Sequence, residues 1–92
     1  VSKIFFAIKF EFPISDVAED VAEPYRSVAQ SKGKNYTLDI QEGLSYCGDE
    51  KAIRELIAAL LDNAFKYSSD GGSILASLAA EGKGIRFTVE NT

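Results

Sequence analysis

Asn63, Lys66 and Tyr67 place a carboxamide, an ammonium and a phenol at the end of an otherwise apolar helical pattern. Residues three and four apart are neighbours on a helix, so Asn63 lies one turn below Lys66 and Tyr67. Ile53, Leu56, Ile57, Leu60, Leu61 and Ala64 follow the i, i+3, i+4, i+7, i+8, i+11 spacing of a broad stripe pointing into a core. The polar trio lies beside that stripe, which predicts a buried or half-buried Asn63. Its carbonyl oxygen suits a hard cation, the lysine is a mobile charge suited to phosphate, and the tyrosine offers a flat ring with a polar tip. Together they point to a nucleotide–magnesium site. Four residues before Asn63, on the same stripe, stands Ala59, whose methyl group neither takes a proton nor binds a cation.

The elements that must carry this helix follow from the flanking pattern. Lys9 to Ile14 reads as an extended segment closed by Pro13, and Ser15 as the N-cap of a helix with Asp16, Glu19 and Asp20 in its first turns. Val17, Val21, Tyr25 and Val28 continue its apolar face to Gly33, and Pro24 must bend or open it, because proline lacks a donor and crowds the carbonyl four residues back. Tyr36, Leu38 and Ile40 alternate as a strand, Gln41-Glu42-Gly43 turns the chain, and Leu44 and Tyr46 begin a second short strand. Asp49 caps the long helix, which ends near Tyr67, and Ser68-Ser69-Asp70-Gly71-Gly72 stops it. Ile74, Ala76, Leu78 and Ala80, then Ile85, Phe87 and Val89, alternate on either side of Glu81-Gly82-Lys83-Gly84 as a hairpin. The expected fold class is α+β: a two-layer sandwich with two helices on one face of a mixed sheet. The edge strand near Val89 is left open and invites a second copy.

The stretch Leu60-Leu61-Asp62-Asn63-Ala64-Phe65-Lys66-Tyr67-Ser68, closing a helix that opens with Gly48-Asp49, resembles the N-box of the histidine-kinase branch of the GHKL ATPases. The resemblance runs from about Phe12 to the last residue. It implies a partial Bergerat fold, with Asn63 holding magnesium that bridges the ATP phosphates, Lys66 reaching those phosphates and Tyr67 packing on the nucleotide. Phe87 to Thr92 resembles the strand entering the G1 box, where an acidic residue recognises the adenine amino group. Asn91 falls on that acidic position and would accept from the amino group as a neutral, less discriminating partner.

Two departures shape the expected function. Hydrolysing relatives carry a water-activating glutamate where this chain has Ala59, so transfer to a histidine is favoured over ATPase chemistry. The sequence stops before any G1 glycines, lid or second glycine-rich turn, and so reads as the first part of an ATP-binding domain. The implied function is the catalytic, ATP- and Mg2+-binding part of a two-component sensor histidine kinase. Its γ-phosphoryl group would pass to a histidine on a helical dimerisation domain and onward to a response regulator. The alternatives are an ATPase of the same fold and a non-catalytic binding module with a degenerate pocket.

Composition sets the bounds. The 92 residues allow one domain, and 46% hydrophobic with 26% charged residues is ordinary globular composition. A net charge of −4 with no basic run in the sequence argues against a nucleic-acid surface. Cys47 is the single cysteine and histidine is absent, which excludes an internal disulfide and a Cys/His zinc site, and places the phosphoacceptor histidine in another chain segment. A reducing, cytoplasmic setting is expected, with a parent that resemblance implies is a membrane sensor. Ile4 to Ile8 is too short for a membrane span and reads as strand or linker.

Overall fold

The computed structural model describes residues 10–92. The expected strand or linker at Ile4 to Ile8 lies outside them. Eight elements follow in order: β1 (Phe10–Phe12), α1 (Ile14–Ala22), α2 (Tyr25–Ser31), β2 (Asn35–Ile40), β3 (Tyr46–Gly48), α3 (Glu50–Tyr67), β4 (Ser73–Glu81) and β5 (Gly84–Asn91). The α+β class and the mixed sheet are as expected: β4 is central, parallel to β2 and antiparallel to β5. β1 and β3 do not join it. They pair antiparallel, Phe10 opposite Gly48 and Phe12 opposite Tyr46, as a separate two-stranded ladder.

The helical layer follows the apolar periodicity. Ile14, Val17, Ala18 and Ala22 bury one face of α1 against the sheet, and Ile57, Leu61, Ala64 and Phe65 do the same for α3. From the other layer, Ile74, Ala76 and Leu78 of β4 are fully enclosed, as a period of two in a central strand demands. Pro24 divides the expected first helix into two: α1 ends at Ala22, and α2 begins after Pro24. Three helical segments therefore cover the sheet.

Ser15 is not a cap. The N-cap position of α1 is Pro13, which makes no side-chain cap bond, and Ser15 is buried inside the first turn. Its hydroxyl donates to the Gln41 carbonyl (2.6 Å) and accepts from the Leu44 backbone N–H (2.8 Å), so it stitches α1 to the β2–β3 turn. Asp49 does cap α3, its carboxylate accepting from the Ala52 N–H at 3.2 Å. The β4–β5 hairpin turns through Gly82 and Lys83, with Gly82 at φ +58°, a region that glycine enters without steric cost. Among the described residues β5 pairs only with β4, so its outer edge is open.

Candidate functional site

The core claims a narrower arc of α3 than the sequence pattern suggests. Ile57, Leu61, Ala64 and Phe65 are buried, but Leu56 is 54% and Leu60 37% exposed. The stripe is rotated toward Phe65, leaving Leu56, Leu60, Asn63 and Tyr67 as a single flank at spacings of four, three and four. Asn63 is exposed, not buried or half-buried, and Tyr67 is 69% exposed. Ala59 is also exposed, on the outer side of the same helix.

That flank forms one wall of an apolar groove of about 220 Å³. Leu56 and Leu60 line it from α3, Leu78 from β4, Ile85 and Phe87 from β5, and Tyr46 from β3. The apolar groove stops short of Asn63 and Tyr67, which continue its helical wall toward the C-terminal end of α3. The opposite wall changes character at the same level. Successive cross-strand pairs Leu78–Phe87, Ala76–Val89 and Ile74–Asn91 put Phe87, Val89 and Asn91 on the helix-facing side of β5. Asn91 is thus the polar end of that strand's inner face, opposite the fully buried Ile74.

Lys66 belongs to the neighbouring side of the helix, about 100° around the axis from Tyr67. There it shares a recess of about 330 Å³ with Lys32, Lys34, Phe65, Ser68 and Asp70. Its ammonium still reaches toward the Tyr67 ring, at 5.3 Å from the centroid, within cation–π range. The fold thereby builds a three-lysine corner that no basic run in the sequence announces. The expected trio is brought to one end of α3 but not to one point.

Three contacts hold that end in place. Phe65 lies between two tyrosines, stacked on Tyr25 at 5.5 Å and edge-on to Tyr36 at 5.3 Å. The Tyr25 hydroxyl donates to the Asp62 carboxylate at 2.6 Å, tying α2 to the residue preceding Asn63. The Lys34 ammonium donates to the Ser68 hydroxyl (2.5 Å) and to the Ser68 and Ser69 carbonyls (3.1 Å each), placing a cation at the negative end of the helix dipole. The last residue of the chain closes the arrangement: the Thr92 carbonyl accepts from the Ser69 N–H at 2.9 Å. Burial pushes the Tyr25 phenol up to about 12, helped by the hydrogen bond and charge of Asp62. Burial likewise raises Tyr36 to about 12, against the opposing charge of Arg26; its hydroxyl donates to the Ala22 carbonyl at 2.9 Å. On the α1 side of α3, Arg54 bridges Asp20 (2.7 Å) and Glu50 (3.0 Å), which raises its pKa further.

Asp62 and Lys34 were not singled out by the sequence pattern. Helical spacing alone shows that Asp62 faces away from the Tyr67 flank, but finding its partner requires the placement of α2 behind Pro24. No group of three or more His, Cys, Asp or Glu side chains able to hold a metal exists among the described residues. Cys47 is exposed and free. No helix among the described residues is long and apolar enough to cross a membrane.

The geometry defines a class. No protein-family model matches the chain. The fold matches the catalytic domain of histidine kinase ThkA with a TM-score of 0.84 at 18% identity, covering 91% of this chain and 58% of that one. It also matches the cytoplasmic segment of histidine kinase QseC with a TM-score of 0.71 at 24% identity, covering 82% of this chain and 50% of that one. In sequence the chain is similar to the adaptive-response sensory kinase SasA of Synechocystis, 42% identical over 62 residues, or 66% of this chain and 16% of SasA. It is similar as well to the sensor histidine kinase Hik2 of Thermosynechococcus vestitus, 33% identical over 88 residues, 87% of this chain and 23% of Hik2. The chain has the fold of histidine-kinase catalytic domains and is related in sequence to sensor histidine kinases. It spans between a sixth and a quarter of the length of these two curated relatives.

Proposed function

We propose that this chain is the first part of the ATP-binding catalytic domain of a two-component sensor histidine kinase. The observation that supports the reading is the histidine-kinase catalytic-domain fold, in which Asn63 and Tyr67 stand exposed at the C-terminal end of α3 and Asn91 lies on the helix-facing side of β5. In this reading the base enters between the walls with Asn91 at its polar edge, Tyr67 packs on the nucleotide, and Lys66 swings from its recess to the phosphates. Asn63 offers a carbonyl oxygen to Mg2+. Its side chain makes no hydrogen bond among the described residues, and without a protein cage the metal would share its shell with the phosphates. Bound ATP supplies the γ-phosphoryl group for a histidine outside this chain, from which it passes to an aspartate of a response regulator. One structural neighbour is a ThkA complex with the response regulator protein TrrA, a partner of the proposed kind.

Ala59 favours this reading over an ATPase of the same fold, because an exposed methyl one turn before Asn63 offers no base for water. The same residue, with Asn91 in an acidic position, is the specific support for the second reading, a binding module that keeps the fold with a degenerate pocket. The domain is proposed to work on the cytoplasmic side of a membrane-anchored parent, and the open edge of β5 to pair with a second copy.

The test is calorimetric titration of Mg2+–ATP into this chain and into the full-length natural polypeptide that carries it, each with and without Asn63→Asp. The 92-residue chain should bind weakly, with Kd above roughly 10 μM, about −7 kcal/mol. Full-length protein should bind tighter, and Asn63→Asp should weaken it at least about tenfold while the thermal midpoint holds. Absence of nucleotide binding by the full-length protein would favour the module. Unchanged affinity and phosphotransfer in Asn63→Asp would reduce Asn63 to a helix-surface residue.

A further inference from the structure

Lys34 and Lys66 both reach the end of α3, and only Lys34 is committed there. Lys32-Gly33-Lys34 closes α2 with a Schellman turn. Gly33 stands at φ +64° with its N–H on the Gln30 carbonyl (3.2 Å), and the Lys34 N–H donates to the Ala29 carbonyl (2.9 Å). The next residue is held as well, the Asn35 N–H donating to the Gly72 carbonyl at 3.0 Å. Lys34 is therefore aimed by fixed backbone. Its half-buried side chain crosses to α3 and spends its ammonium protons on the Ser68 hydroxyl and the Ser68 and Ser69 carbonyls. α3 has no closure of its own: its C-cap Ser68 is extended (φ −71°, ψ 147°), so no glycine turn folds back over the last carbonyls. A helix that ends this way is commonly served by a lysine of its own last turn, which here is Lys66. Lys66 opens on the same recess as Lys34 and Ser68. Yet it is exposed, makes no hydrogen bond among the described residues, and holds its ammonium 5.3 Å from the Tyr67 ring centroid.

Resting on the nucleotide reading above for the identity of the ligand, we infer that Lys34 is a positioning residue. By occupying the end of α3 it keeps Lys66 off those carbonyls and free for an anionic group, the phosphates of a nucleotide. Two effects act in the same direction. The acceptors that Lys66 would take are already filled, and a second ammonium drawn into the recess meets the fixed charge of the first. Removing the Lys34 charge reverses both. The negative end of the helix dipole then draws Lys66 inward, and Asp70 on the recess adds to the pull. The cation is withdrawn from the side of the helix where Tyr67 stands.

The experiment uses the full-length natural polypeptide and two readouts. The first needs no ligand: amine-selective reductive methylation, resolved by residue with mass spectrometry. In the unaltered protein Lys66 should react at least about fivefold faster than Lys34, because hydrogen bonds to the ammonium hold its proton. In Lys34→Met, Lys66 should slow by about threefold or more while the exposed Lys32 keeps its rate, and Lys34→Arg should leave Lys66 fast. The second readout is equilibrium binding of Mg2+–ATP beside adenosine, which lacks the phosphates. Lys34→Met should weaken Mg2+–ATP by about fivefold or more and adenosine by less than about twofold, with Lys34→Arg restoring the former. A general loss of structure would lower both together, and that result overturns the inference. So does a Lys66 rate untouched by Lys34→Met, or a Lys34 as reactive as Lys66 in the unaltered protein, a comparison that requires no variant. A labelling switch with unchanged Mg2+–ATP affinity upholds the exchange between the two lysines and removes Lys66 from the phosphates, so that failure falls on the nucleotide reading instead.

Discussion

Phe65 carries the argument that the end of α3 is held by aromatic contact, and its replacement tests that argument quantitatively. The ring is 5% exposed and touches Tyr25 and Tyr36 at centroid distances of 5.5 and 5.3 Å. Phe65→Leu keeps most of the buried volume and removes both ring pairs, each worth about 0.5–1.5 kcal/mol beyond area. The expected loss is about 1–3 kcal/mol, a fall in thermal midpoint on the order of 10 °C for a domain this small. Phe65→Ala adds the cavity, about 3–5 kcal/mol in total transfer and packing. Against a whole-domain stability of about 5–14 kcal/mol, that variant sits close to unfolding.

Urea denaturation followed by circular dichroism measures both variants, and a double-mutant cycle of Phe65→Leu with Tyr36→Leu isolates the pair. Coupling of at least about 0.5 kcal/mol is expected. The reasoning also ties stability to the site, since Phe65 lies between Asn63 and the Lys66-Tyr67 pair in the same turn. Phe65→Leu should therefore weaken nucleotide binding by the full-length protein even at temperatures where it remains folded. A midpoint within about 2 °C of the parent, or zero coupling to Tyr36, would refute the claim that these rings anchor the helix end.

The remaining predictions probe other joints. Ser15→Ala should cost about 1 kcal/mol in urea unfolding, because it removes two part-buried hydrogen bonds, to the Gln41 carbonyl and from the Leu44 N–H; a loss no larger than that of an exposed serine would count against the stitch. Asp49→Ala should cost about 1 kcal/mol and Asp49→Ser much less, since serine also caps; equal losses would deny the cap. Tyr25 and Tyr36, both raised from 10.0 to about 12, hold their protons more tightly when folded. The stability they add is complete below pH 10 and is lost as pH rises toward 12, so the urea midpoint should fall across that window and fall less in Tyr36→Phe. A midpoint flat from pH 9 to 12 contradicts the sign. Sedimentation of the 92-residue chain at rising concentration should show reversible dimers if the β5 edge pairs; a monomer throughout excludes that mode.

Local signals made most of the fold legible. Alternation at Ile74, Ala76 and Leu78 identified a strand of the hairpin, Asp49 the start of α3, and Pro24 a disturbance of the first helix, which the structure shows as a full break between α1 and α2. What the pattern could not supply was the rotation of each element about its own axis. The apolar run from Ile53 to Phe65 is wide enough for several choices of buried arc. The aromatic pair Tyr25 and Tyr36 draws Phe65 inward, and the rotation that results exposes Leu56, Leu60 and Asn63 together. Ser15 failed as a cap for a similar reason. Its hydroxyl has two partners in the β2–β3 turn, and a turn 26 residues distant in sequence leaves no local trace.

The rotation of α3 has a functional consequence. Had Leu56 and Leu60 been buried as the pattern suggests, the flank carrying Asn63 and Tyr67 would have met the sheet and closed the groove. Because Phe65 takes the inner position instead, one helix serves two surfaces. Its Ile57, Leu61, Ala64 and Phe65 arc holds the core, and on the flank beside it Leu56 and Leu60 line a groove shared with Ile85 and Phe87 of β5, while Asn63 and Tyr67 extend that flank as exposed side chains. Substitutions on the first arc should move stability and binding together, whereas Asn63→Asp on the second should move binding alone. A variant set in which the two quantities always changed in proportion would show that no such division exists.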